Sequence, residues 1–156
     1  MENVKTNVMR ILDKCNIDYN VFYVDPKKVE DGVQNAHLIG KDENSTLKTL
    51  VTVGKSKEHY VFVIPVNKTL NLKSAAVAAN EKSIDMITQK ELFPLTGFVH
   101  LGCSPIGMKH KYKTIADESI KNFEYVVISG GKIGVSLELK LKDLEKAAAL
   151  TYAGCV

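Results

Sequence analysis

The segment Gly102-Cys103-Ser104-Pro105-Ile106-Gly107-Met108-Lys109 directly follows an apolar run at 98–101. Two glycines and a proline make a tight loop whose main-chain N–H groups can approach a ligand closely. Upstream, Leu47-Lys48-Thr49-Leu50-Val51 sets one lysine inside an apolar run. Downstream, Val126-Val127-Ile128-Ser129-Gly130-Gly131-Lys132 again passes from an apolar run into glycines. This chemistry is a pocket of backbone donors with one cation, suited to holding an oxyanion or a phosphate. Strand alternation places Lys48 and Leu50 on one face, and Leu47, Thr49 and Val51 on the other. A lysine so placed needs water, a partner or a ligand; snorkelling to solvent is the structural alternative.

Nucleophilic catalysis by a side chain is disfavoured. Ser104 sits in G-x-S-x-x-G rather than G-x-S-x-G, and Pro105 lacks the N–H that an elbow oxyanion hole requires. Its expected role is turn formation or ligand hydrogen bonding. Cys103 has no paired base in the sequence and reads as a small packed thiol. His37, His59, His100 and His110 lack metal-ligand spacing, and no C-x-x-C occurs, so neither a metal nor another cofactor is expected. Gly54-Lys55-Ser56 resembles the end of a phosphate loop, but Thr49 occupies the position of its first glycine, and a strand follows where a helix is required. Ser129-Gly130-Gly131 reads either as a hairpin turn or as a second wall of donors opposite Gly102.

The chain has 156 residues, 45% hydrophobic and 25% charged, which fits one domain. No apolar run is long enough to cross a bilayer, and no signal peptide is read at the N-terminus. Three widely spaced cysteines, Cys15, Cys103 and Cys155, point to free thiols and a cytoplasmic location. A net charge of +3 does not by itself mark a nucleic-acid binder. Lys109, His110, Lys111 and Lys113 nevertheless form a basic cluster after the glycine loop, and Lys68 and Lys73 flank a predicted helix start. Such a rim suits phosphates or a solvated surface.

The elements that position these groups follow from periodicity. Helices are predicted over 3–15, from Gly32 to near Gly40, through Leu72, Ala75, Ala76 and Ala79, at 89–93 behind a Thr88 cap, and over 141–150. Strands are predicted at 19–24, 47–53, 59–64, 84–87, 98–101, 124–128 and 135–139, with residues 54–57 as a hairpin turn. The expected class is α+β, or irregular α/β, with a mixed, curved, partly barrel-like sheet flanked by helices.

In chain order, Asp31-Gly32, Leu47-Lys48-Thr49-Leu50-Val51, Val61-Phe62-Val63-Ile64-Pro65, Leu70-Asn71-Leu72-Lys73, Leu95-Thr96-Gly97-Phe98, Gly102-Cys103-Ser104-Pro105-Ile106-Gly107 and Ser129-Gly130-Gly131-Lys132-Ile133-Gly134 resemble the YbaK family of free-standing aminoacyl-tRNA deacylases. That family is related to the editing domain of bacterial prolyl-tRNA synthetases. The resemblance implies hydrolysis of the ester between a wrong amino acid and the tRNA 3′ end, most often cysteine on proline tRNA. It implies Lys48 and Gly102 as the catalytic pair. The implied substrate-binding set is Asp31, Thr49, Cys103, Ser104, Gly107, Ser129, Gly130, Gly131 and Ser136. Lys73, Lys109 and Lys111 are candidates for tRNA phosphates, and aminoacyl-tRNA and prolyl-tRNA synthetase are the implied partners. The chain departs from the cysteine-specific branch in carrying Ser136 where that branch has aspartate, and acidic Asp31 near an aromatic position. Three alternatives stay open: another small amino acid such as alanine, a non-catalytic tRNA- or synthetase-binding module, and a small-ester hydrolase without RNA.

Overall fold

The computed structural model describes residues 5–156; residues 3 and 4 of the first predicted helix lie outside that range. Thr6 caps α1 (Asn7–Lys14) by accepting a hydrogen bond from the Met9 N–H, which satisfies one of the orphan donors of a helix start. Val8, Met9 and Leu12 face the core. β1 (Asn20–Tyr23) and a 3-10 turn (Pro26–Lys28) lead to α2 (Gly32–Leu38). The Asp31 carboxylate caps α2, 2.8 Å from the Gln34 N–H. A β-carbon on Gly32 would stand 2.7 Å from a Val66 methyl, so glycine lets this helix lie against that side chain.

β2 (Leu47–Gly54) and β3 (His59–Pro65) form the predicted antiparallel hairpin, with Lys48 opposite Ile64. α3 (Leu72–Ala79), β4 (Ile84–Met86) and α4 (Gln89–Thr96) follow. Glu91 accepts a bond from the Thr88 N–H at the start of α4, and Gly97 ends that helix at φ +83°. β5 (Lys113–Asp117), a 3-10 turn (Glu118–Asn122), β6 (Tyr125–Ser129), β7 (Val135–Lys140), α5 (Leu141–Ala148) and β8 (Thr151–Ala153) complete the chain.

The strands make two sheets, β1-β7-β6 and β4-β2-β3-β5-β8. The larger sheet is mixed: β2 pairs antiparallel with β3 and β4, while β3–β5 and β5–β8 are parallel. Thr46 and Val127 bridge the two sheets, and the Val127 N–H donates to the Ser45 carbonyl. The sheets are not closed into a barrel, which corrects the partly barrel-like expectation. β3 is buried on both faces. Val61 and Val63 join the core between the sheets with α1 and α5, whereas Tyr60, Phe62 and Ile64 join a second core under α3. Each fully buried side chain of this kind contributes roughly 1.5–3 kcal/mol. The alternation predicted for β2 holds: Leu47 and Val51 face the first core and Leu50 packs against the second.

Three elements differ from the sequence-based expectation. Residues 98–101 are not a strand. They enter a turn in which the Gly102 N–H donates to the Val99 carbonyl at 2.9 Å and Leu101 takes φ +67°. Three apolar residues and a histidine carry no usable period, and Gly97 and Gly102 at the flanks favour a turn. β5 and β8 were not predicted. β5 is short and its flanking lysines resemble a surface loop, and its strand character comes from parallel pairing with β3 and β8.

Candidate active site

β4 covers only residues 52–54 of β2, so the first half of β2 has no strand on its outer side. A cavity of about 150 Å³ occupies that gap, between β2, α2 and the facing ends of β6 and β7. It is smaller than the ~300–1,000 Å³ clefts that take drug-sized ligands. Its wall is mostly aliphatic, with Leu47, Leu50, Val66, Leu92 and Val135 among the contributors. The polar groups on it come from separate elements, so their convergence is a property of the fold.

Lys48 reaches the cavity from β2 and Asp31 from the cap of α2. Burial lowers the pKa of the Lys48 ammonium below its ordinary 10.5, and the Asp31 carboxylate opposes that shift. This is a partly desolvated cation with one distant counter-charge, whose field acts more strongly on a bound ligand than an exposed lysine's would. Thr49, Cys103, Ser129 and Ser136 line the same cavity.

Gly102, predicted as one of the catalytic pair, does not line the cavity, although its neighbours Leu101 and Cys103 do. A β-carbon there would lie 3.1 Å from the Ile133 nitrogen and 3.2 Å from the Lys132 carbonyl carbon. The glycine thus allows two loop backbones to touch. Its N–H is taken by Val99, so the Gly102 N–H is not available to a ligand; the adjacent Cys103 N–H is one of the donors of this loop that makes no hydrogen bond to another described residue. Replacing Gly102 with alanine is expected to push the loops apart, costing about 1–2 kcal/mol and lowering kcat ten- to a hundredfold through misplacement. A thermal melt beside single-turnover kinetics checks both.

The Cys103 thiol is pushed up to about 12 by burial, partly offset by the nearby Thr96 hydroxyl. It is therefore protonated at neutral pH and is no thiolate nucleophile. Cys103→Ser is expected to retain most activity, and iodoacetamide is expected to leave the wild-type rate unchanged.

The remaining predicted residues lie outside the cavity lining. Ser104 is fully buried, its hydroxyl accepting from the Ile106 N–H at 3.3 Å. Gly107 packs against Ile11 of α1, and Gly131 against Val8 of α1 and Phe98. The Gly130 N–H closes onto the Val135 carbonyl. Lys73 is exposed on α3. Lys109 stands 5.3 Å over the exposed Phe93 ring, and Lys111 borders a separate recess with His59 and Tyr112. The sequence reading did not single out His100 or Leu101 from the apolar run for a place on the cavity wall, nor Asn35. The spacing of Asp31 and Asn35 is the signal that could have found the last, since residues four apart share a helix face.

The site is thus a small cavity with one lysine on its wall, set at a gap in the larger sheet of a mixed two-sheet α+β fold. Residues 25–147 match the aminoacyl-tRNA editing domain model. An Enterococcus faecalis protein named "Putative Cys-tRNA(Pro)/Cys-tRNA(Cys) deacylase EbsC" is 35% identical over 136 residues, covering 86% of this chain and 83% of that protein. The chain belongs to the aminoacyl-tRNA editing domain family. Two solved structures share the fold. One, titled "Crystal structure of a putative trans-editing enzyme for prolyl tRNA synthetase", has a TM-score of 0.83 at 21% identity over 96% of this chain and 97% of its own. The other, hypothetical protein APE2540, has a TM-score of 0.87 at 22% identity over 96% and 99%. Among the described residues no helix is long and apolar enough to cross a membrane.

Proposed function

We infer that this protein is a trans-editing deacylase that hydrolyses mischarged aminoacyl-tRNA, with cysteine on proline tRNA as its substrate and the cytoplasm as its location. The observation that carries this reading is the cavity itself: an aliphatic chamber of about 150 Å³ with Lys48 on its wall. It admits a small amino acid and leaves the nucleotide outside. The E. faecalis relative, named for cysteine on both proline and cysteine tRNA, supports the same substrate.

An aminoacyl ester is already activated, so positioning and charge stabilisation suffice for much of the rate. Lys48 supplies positive charge beside the ester, and the Cys103 N–H donates to the developing oxyanion. Attack comes from water or from the cysteine substrate's own thiol. The acyl C–O bond breaks, and the tRNA 3′ oxygen leaves with a proton. Ser104 is sealed in the fold and Cys103 stays protonated, so neither attacks. Lys109, with Lys73 and Lys111 further out, offers charge to tRNA phosphates, and prolyl-tRNA synthetase is the enzyme whose errors this activity would correct.

The alternative of a small-ester hydrolase is tested by salt. Turnover of Cys-tRNA(Pro) is expected to fall steeply between 50 and 200 mM salt, through lost counterion release. Cysteine ethyl ester is expected to be a poor substrate with little salt dependence. Equal turnover and equal salt response for both would contradict an RNA-directed role.

A further inference from the structure

Asn35 lies on α2, one turn beyond the Asp31 cap, and lines the cavity. Its amide Nδ2 donates to the Ser136 hydroxyl at 3.0 Å, across from β7. Its Oδ1 is shielded from water and has no hydrogen-bond partner. The ion pair of Lys41 with Glu138, 3.0 Å apart and partly buried, fastens the segment after α2 to the same strand. One end of the amide is therefore tied to β7 by a single hydrogen bond, and the other end is left over. Turning the amide by half a revolution exchanges the two ends and leaves the other one orphaned.

An unpaired buried amide end costs free energy, and a native fold retains one where something else completes it. Asp31 is exposed at the cavity rim, whereas the Asn35 oxygen is sealed from solvent. The tRNA stays outside, so the deepest part of the substrate is the amino-acid side chain. Asparagine χ2 is a broad torsion, so the amide can turn its free end toward a ligand. A thiol or a hydroxyl both donates and accepts and therefore satisfies either end. The methyl of alanine and the ring of proline satisfy neither.

Resting on the deacylase reading, we propose that Asn35, held by Ser136, is the specificity-determining residue of the cavity. It selects aminoacyl groups whose short side chain ends in a thiol or hydroxyl over apolar ones of similar size. A site built to hydrogen-bond a substrate group rejects analogues that lack it more strongly than a purely apolar pocket does.

The test is kcat/KM on one tRNA(Pro) charged in turn with cysteine, serine and alanine. Wild type, Asn35→Leu and Asn35→Ala are compared, each with a thermal melt. Wild type is expected to favour cysteine and serine over alanine. Asn35→Leu is expected to lose about tenfold on cysteine and serine, the scale of one hydrogen bond, with alanine unchanged within about twofold. Asn35→Ala gives the same pattern and serves if the leucine variant does not fold. An equal loss on all three substrates, or no loss on any, overturns the proposal while leaving the deacylase reading intact. Wild type releasing none of the three amino acids would overturn the deacylase reading, and this proposal with it.

Discussion

Lys48→Ala is expected to lower deacylation on the order of a hundredfold or more while leaving the protein folded. The rate effect follows from removing the only lysine among the described residues that line the cavity, since a preorganised charge beside a developing oxyanion carries ~2.7–4 kcal/mol of barrier. The fold is spared for a separate reason. Burial lowers the Lys48 pKa, so holding its charged form in the native state is unfavourable relative to the unfolded chain. The sign follows from proton binding. Between the lowered native pKa and the unfolded value of 10.5, the unfolded state binds more protons, and stability rises with pH. Below the lowered native pKa the penalty is fully present. Lys48→Met, which keeps the aliphatic stem, is therefore expected to melt no lower than wild type at pH 7. Its stability is also expected to rise less as the pH increases toward 10.5. Melts over that rise in pH check the slope, and single-turnover kinetics check the rate.

Gly134→Ala is expected to cost the fold most. Gly134 has φ +85°, and a β-carbon there would stand 2.5 Å from the Val24 carbonyl oxygen and 3.3 Å from Pro26. The Gly134 carbonyl also accepts from the Val24 N–H at 2.9 Å, so the two strands cannot separate without losing that bond. Backbone strain and overpacking together amount to about 3 kcal/mol. For a domain of this size that lowers Tm by roughly 6–12 °C. Gly40→Ala is the control. It shares a positive φ, +70°, but has open space around it, so only the backbone term of about 1 kcal/mol remains. Because Gly134 also lines the cavity, its alanine variant is expected to lose activity along with stability.

The sequence exposed Lys48 and the loop at Gly102 because both break a local pattern. A lysine interrupts an apolar strand, and glycines and a proline interrupt a run of hydrophobic residues. The β2–β3 hairpin was equally legible from its two apolar runs and the polar turn between them. What stayed hidden depends on distant pairing. β5 is a strand because β3 and β8 lie beside it, and nothing inside Lys113–Asp117 announces that. The glycines of the loops divide by role in a way composition does not reveal. Gly107 and Gly131 let loops close on α1, whereas Gly134 opens onto the cavity. Asn35 was missed because an asparagine in a short helix looks ordinary until Ser136, about a hundred residues later in sequence, is seen against it.

The central claim is that this cavity removes a small amino acid from tRNA with Lys48 as its charge. The most direct measurement is single-turnover release of cysteine from Cys-tRNA(Pro), run beside Pro-tRNA(Pro), with wild type and Lys48→Ala in parallel. Wild type is expected to release cysteine but not proline, and the folded variant to lose nearly all release. Full release by Lys48→Ala, or no release by wild type, would contradict that claim.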